Sequence, residues 1–175
     1  METGAPLRYF ARELGLELSK SAALSALPFV TMALGSKVSG AAAGSLVKSG
    51  WRTFDVRRLM IAISSAIPAA TLLLLSTIKD ANQAVAALVV ALGAHSFSSA
   101  GFHAHLADVA PSASGKILGF TNTVGVVVGI VANVVTGKVL DATGSFGAVF
   151  ALTAAIYASG LLAFFLFVRP DPLVE

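Results

Sequence analysis

Cysteine is absent from the 175 residues of this chain. That excludes disulfides, thiolate metal sites and cysteine nucleophiles, and it leaves the compartment open. Charge is scarce as well. Asp, Glu, Lys and Arg make up 12% of the residues, about half the share of roughly a quarter found in soluble domains. A soluble fold would have to cover its surface with half the usual charges. Disorder is excluded from the other side, because it needs low hydrophobicity and 56% of this chain is hydrophobic. The net charge of +3 comes from 12 basic residues against 9 acidic ones, spread along the chain without a basic stripe, so nucleic acid is not a partner. Signatures of catalysis and cofactor binding are missing too. Gly40 to Ser45 (GAAAGS) has the glycines of a phosphate-cradling loop but lacks the lysine that must follow, and neither a G-x-S-x-G nor an H-E-x-x-H sequence occurs. His103 and His105 are two residues apart and diverge on a helix, with no third ligand at metal-binding spacing. Neither an enzyme nor a cofactor or metal protein is expected.

What is present is four long stretches without a single charge: Leu59 to Ile78, Ala81 to Ala107, Ile117 to Gly137 and Ala142 to Val168. A fifth apolar stretch, Ser21 to Val47, is interrupted only by Lys37. About 20 apolar residues in a helix cross the hydrocarbon core of a bilayer. Backbone groups in lipid have no water to bond, so each stretch is expected to be a helix. The predicted fold is therefore all-α and membrane-embedded, with five spans at about 21–47, 59–78, 84–104, 117–137 and 147–168. A lead-in over 1–20 and a tail over 169–175 flank them. In the lead-in, Leu7, Phe10, Leu14 and Leu18 recur at helical spacing, which fits either a helix at the membrane surface or a frayed approach. Basic residues in the short loops collect on one side, with Lys48, Arg52, Arg57, Arg58, Lys116 and Arg169, against Lys79 and Lys138 on the other, which Arg8, Arg12 and Lys20 of the N-terminal segment join to make the count six against five. The first side is the cytoplasmic one or its organellar equivalent.

Polar residues within the spans are the candidate functional residues. An ammonium in the membrane is costly, so Lys37 either faces a partner or a wet cavity, or snorkels to an interface. His95, Asn122 and Asn133 either line a substrate path or tie helices together by hydrogen bonds. Glycines four apart, at Gly40 and Gly44, Gly115 and Gly119, and Gly125 and Gly129, allow close packing of helix backbones in lipid, although Gly-rich spans also produce such pairs by chance. Pro28 and Pro68 fall inside predicted spans, where each removes a backbone hydrogen bond.

The order of local sequences is more specific than hydropathy. The lead-in YFARELGLELSKSAALSALPF (Tyr9 to Phe29), the DVRRLM of Asp55 to Met60, and the run from Ala100 to Phe146 resemble the anion–cation symporter family of the major facilitator superfamily. In the last run the matching residues are Gly101-Phe102, Asp108-Val109-Ala110-Pro111, Gly119, Asn122-Thr123, Gly129-Ile130 and the closing Asp141-Ala142-Thr143-Gly144-Ser145. The branch of plant plastid phosphate and anion transporters is the most similar. The resemblance implies that the five spans correspond to helices eight to twelve of a twelve-helix carrier, in its C-terminal half. It implies an anion, inorganic phosphate first or an organic anion, moved with a coupling cation, and a chloroplast or other plastid membrane. It implies that the third and fourth spans face the cavity and makes His95 and Asn122 the better candidates for contact with the anion, beside Lys37 and Asn133, which are candidates as polar residues within the spans. Two departures stand out: Lys37 replaces a usual Asn, and Gly44 replaces an acidic residue of a cytoplasmic latch. The family's main anion-binding and coupling groups lie in an N-terminal half that is expected to be missing here. Transport is then expected only with that half or a full-length carrier as partner. The competing reading is a truncated, non-transporting membrane protein that associates with full-length carriers or is inert.

Overall fold

The computed structural model describes residues 18–78 and 80–169. The lead-in expected over 1–20 lies, apart from its last three residues, outside this range. Five long helical stretches run through the described chain. They are α1 (Leu18–Lys48), α2 (Thr53–Leu75), a third formed by α3 (Ala81–His95), a π-helical turn (Ser99–His103) and α4 (Ala104–Val109), then α5 (Ser114–Thr143) and α6 (Phe146–Phe167). Four stretches, Thr53–Leu75, Asn82–Val109, Ser114–Thr143 and Phe146–Phe167, are long and apolar enough to cross a membrane. With 31 residues, α1 has the length as well. The chain is an all-α, multi-pass integral membrane protein.

Local chemistry sets the ends of these helices. Gly50, at φ 95°, closes α1: its N–H donates to Val47 O at 3.0 Å and that of Trp51 to Leu46 O at 3.2 Å, the paired bonds of a glycine-terminated helix. Asp80 starts α3 by accepting from Gln83 N at 2.9 Å, and Ser145 starts α6 by accepting from Gly147 N at 3.1 Å. Gly144, at φ 64°, ends α5. Pro28 and Pro68 lie within α1 and α2 and end neither helix. Helices also run past the uncharged stretches, with α2 starting six residues earlier and α5 continuing through Lys138 and Asp141. Charge limits the part that sits in hydrocarbon, whereas the helix itself extends into the interface, where charged side chains reach water.

The packing centres on α2, which lies against α3 and α6, while α1 lies against α3. One apolar cluster joins Leu75, Ala84, Val85, Leu140 and Phe146 at one end of the bundle. At the other end Ala43, Val56, Met60 and Ala100 form a second cluster. A hydroxyl pair joins α1 to the π turn: buried Ser39 Oγ lies 3.1 Å from Ser99 Oγ. By contrast, α5 reaches its neighbours α4 and α6 mainly near its ends, and its middle, from Asn122 to Val135, is exposed throughout.

The glycines that bring helices together are not the ones their spacing selects. A Cβ added at Gly35 would collide with Ser96 Oγ, one at Gly93 would sit 3.0 Å from Thr31 Cγ2, and one at Gly101 would sit 2.6 Å from Ile61 Cγ1. A Cβ at Gly40, Gly44, Gly115, Gly119, Gly125 or Gly129 would meet nothing within 4 Å. Among the described residues, therefore, the close packing expected of Gly40, Gly44, Gly125 and Gly129 is not made: open space lies against them rather than another helix backbone.

Candidate functional site

Among the described residues, grooves open between the helices, two of them beside polar side chains. The first, about 630 Å³, lies at the end of the bundle where α1 stops and α2 starts, lined by Gly40, Gly44, Lys48, Thr53, Arg57 and Ser99 among others. Arg57 dominates it. Its Nε donates to Asp108 Oδ2 at 2.7 Å and its Nη2 to Asp108 Oδ1 at 3.4 Å, a forked pairing that matches guanidinium to carboxylate. Nη1 donates to Ala100 O at 3.0 Å. The π turn makes that carbonyl available. Ala104 N–H donates to Ser99 O, five residues back, and to Gly101 O, and so leaves Ala100 O, four residues back, to the arginine. The Arg57 side chain is only 15% exposed and that of Asp108 38%, so the pair is partly withdrawn from water and pins α2 to α4 across the groove. Beside it Arg58 lies over the Phe165 ring at 4.4 Å and near Phe54 at 5.8 Å. His105, buried, sits between the rings of Phe54 and Phe164.

A second groove, about 460 Å³, runs between the π turn and α5. Phe102, His103, Thr121, Asn122, Gly125 and Val126 line it. Neither groove is lined by Lys37, His95 or Asn133. His95 lies at the end of α3, where its Nδ1 is 3.1 Å from Tyr157 Oη on α6 and the two rings meet edge-on. Of the two roles open to His95, the bond to Tyr157 is the one that ties helices. Asn133 turns its amide back on its own helix, donating to Gly129 O at 3.1 Å. Lys37 is exposed on α1 and has no ion pair among the described residues.

Of the four residues chosen from sequence, only Asn122 faces another polar group across a groove. On α5 it shares one face with Gly125, Gly129 and Asn133, at intervals of three, seven and eleven residues. Lys37, Gly40, Gly44 and Lys48 repeat that spacing on α1. Sequence reasoning passed over Arg57 and Asp108 as charged loop residues, and Tyr157 as one more residue of an apolar run. The pairing of Arg57 with Asp108 spans 51 positions and had no local signal beyond opposite charge on the same side of the membrane.

The spans keep polar side chains beside these grooves, at helix ends and between helices. No family model matches the chain. It is 35% identical over 167 residues, 95% of its length, to a rice protein named "Probable anion transporter 2, chloroplastic". Two Arabidopsis thaliana proteins, "Sodium-dependent phosphate transport protein 1, chloroplastic" and "Ascorbate transporter, chloroplastic", are each 32% identical over the same 95%. Over nearly its whole length the chain is similar to the anion–cation symporter family of the major facilitator superfamily. It spans about a third of the length of the curated relatives it matches, 31% of the rice protein and 32% of the phosphate transport protein.

Proposed function

We propose that this chain forms part of the path of a secondary carrier for anions in a chloroplast or other plastid membrane. Inorganic phosphate, moved together with a cation, is the first substrate to test. The observation that carries the reading is Asn122, a polar residue in a span, facing a groove beside a histidine on an adjacent element. A polar group in that position needs water or a ligand to offset its removal from solvent. The names of the relatives support an anion; they divide on which one, since the relatives named for phosphate and for ascorbate are equally similar to this chain. Lys37, exposed on α1, adds a positive charge that attracts anions toward the membrane, and Asn133 extends the polar face of α5 away from Asn122. His95 positions α3 against α6 through Tyr157.

The test is uptake of labelled phosphate into liposomes. The chain is reconstituted alone and together with the remaining two thirds of the Arabidopsis phosphate transport protein. Uptake is expected from the combination and to fall on Asn122→Ala. If the combination stays silent while the relative's own matching segment restores uptake, this chain is not a carrier segment.

A further inference from the structure

We propose that the groove between the π turn and α5 is itself an anion site, with His103 as its principal contact, for a small oxyanion that carries at least one hydroxyl. The proposal rests on the carrier reading and assigns to it a residue that the sequence offered only as half of an unpromising metal pair.

His95, His103, Asn122 and Asn133 are imidazole or amide side chains within the spans. Two are satisfied within the protein, His95 by Tyr157 and Asn133 by Gly129 O. His103 and Asn122 make no side-chain hydrogen bond among the described residues; His103 touches only the edge of the Phe102 ring, at 5.8 Å between centroids. An imidazole or amide left unpaired in hydrocarbon is expensive. Both unpaired groups line one groove. That groove is therefore wet or occupied, and its lining contains no carboxylate to repel an anion.

The π turn aims His103. A π segment holds more residues per turn than an α-helix, so side chains beyond it are rotated from their straight-helix positions. His105, two residues on, faces the opposite way into the Phe54 and Phe164 rings, while His103 stays exposed toward α5. The same turn exposes Ala100 O to Arg57, which fixes the backbone that carries His103. The histidine is thus held in place through an ion pair on the far side of its helix.

The three polar groups divide the recognition. His103 and the Asn122 amide offer N–H donors to a negative oxygen. Thr121 gives its own proton to Leu118 O at 3.1 Å and so presents a lone pair, which suits a hydroxyl on the ligand. Monohydrogen phosphate and hydroxylated organic anions have both features; sulfate has the charge without the hydroxyl. A volume near 460 Å³ lies within the range of about 300–1,000 Å³ that holds small ligands.

The experiment uses the full chain in lipid nanodiscs with inorganic phosphate, sulfate and ascorbate as probes. In the unmodified chain, phosphate is expected to move the imidazole Cε1–H resonance of His103 and leave that of His105 unmoved. His103→Ala is expected to weaken phosphate binding by about tenfold, the equivalent of one charge-assisted hydrogen bond, with Asn133→Ala binding as the parent does. Thr121→Val is expected to weaken phosphate and ascorbate while sulfate binding is unchanged. If Asn122→Ala loses binding while the His103 resonance stays still and His103→Ala binds normally, the carrier reading survives and this assignment falls. If the unmodified chain binds none of the three anions, this assignment falls, and the uptake test with the remaining two thirds decides the carrier reading separately. The resonance measurement on the unmodified chain decides the matter even where a variant does not fold.

Discussion

Replacing Gly101 by Ala tests how this bundle holds together. In an α-helix the change to Ala is favourable by about 0.5–1 kcal/mol, through propensity alone. At Gly101 the new Cβ would lie 2.6 Å from Ile61 Cγ1, 3.0 Å from Ile61 N and 3.2 Å from Met60 Cβ. A side-chain carbon can turn away, but the backbone nitrogen of Ile61 moves only with α2. Overpacking of this kind costs about 1–3 kcal/mol, so the net expectation is destabilisation by about 1–2 kcal/mol. Gly125→Ala and Gly129→Ala make the matched comparison, because their added carbons meet nothing within 4 Å. They should be neutral or stabilising by a few tenths of a kcal/mol, as propensity gains without a clash. The assay is the fraction of monodisperse protein left after heating detergent-solubilised chain, read by size exclusion. Gly101→Ala should shift the midpoint downward and the other two should not. Equal midpoints for all three variants would refute the argument that the crossing of α2 with the π turn is the tight one.

Other perturbations follow from the same contacts. Asp108→Asn removes the charge from Arg57 and should cost about 1–2 kcal/mol, less than for a fully buried pair because Asp108 is 38% exposed; a double-mutant cycle with Arg57→Gln measures the coupling, and a value near zero would mean that the pair does not join α2 to α4. Tyr157→Phe deletes the bond to His95 and should cost about 0.6 kcal/mol, typical of hydrogen bonds between membrane helices, with phosphate binding unchanged; a large fall in binding would move His95 into the site. Arg58→Ala removes the cation from the Phe165 face, worth about 0.5–1 kcal/mol, and should speed protease cleavage at the C-terminal end of α6 without altering cleavage between α5 and α6.

The helices were legible because lipid imposes one rule on every backbone group, and the rule leaves a mark in composition. Charge-free stretches mark the part of each helix in hydrocarbon, which is why α2 and α5 run beyond Leu59 and Gly137 into charged residues. The break in the third stretch was not legible. Ser99 to His103 carries no proline and no charge, and a π turn depends on which carbonyl finds a partner from another helix. The glycine pairs were misleading for a related reason. Spacing along one helix reports which residues share a face, and says nothing of whether another helix lies on that face. Gly35, Gly93 and Gly101 belong to no four-residue pair among those singled out, yet they make the close crossings. Among the site candidates, sequence identified the polar groups of the spans and left open whether each was ligand or tie. That choice depends on hydrogen-bond partners, which come from distant parts of the chain: residue 157 for His95, and its own helix for Asn133.

The two kinds of polar group also fall in different parts of the bundle, and this gives the fold a mechanical sense. Among the π turn and the helices other than α5, polar atoms are paired between elements: His95 with Tyr157, Ser39 with Ser99, and Arg57 with Asp108 and Ala100 O. Each pair joins two elements and opposes their sliding. Along α5 the polar atoms are bonded within their own helix or left unpaired, and the apolar residues around them, such as Phe120, Val126 and Ile130, are exposed. This helix is held near its ends, so tilting it breaks few contacts along its length. A carrier needs one part that keeps its shape and one part that can move against it around the ligand. In the carrier proposed above, the second groove would be the boundary between such parts, with His103 on the closely packed side and Asn122 on α5.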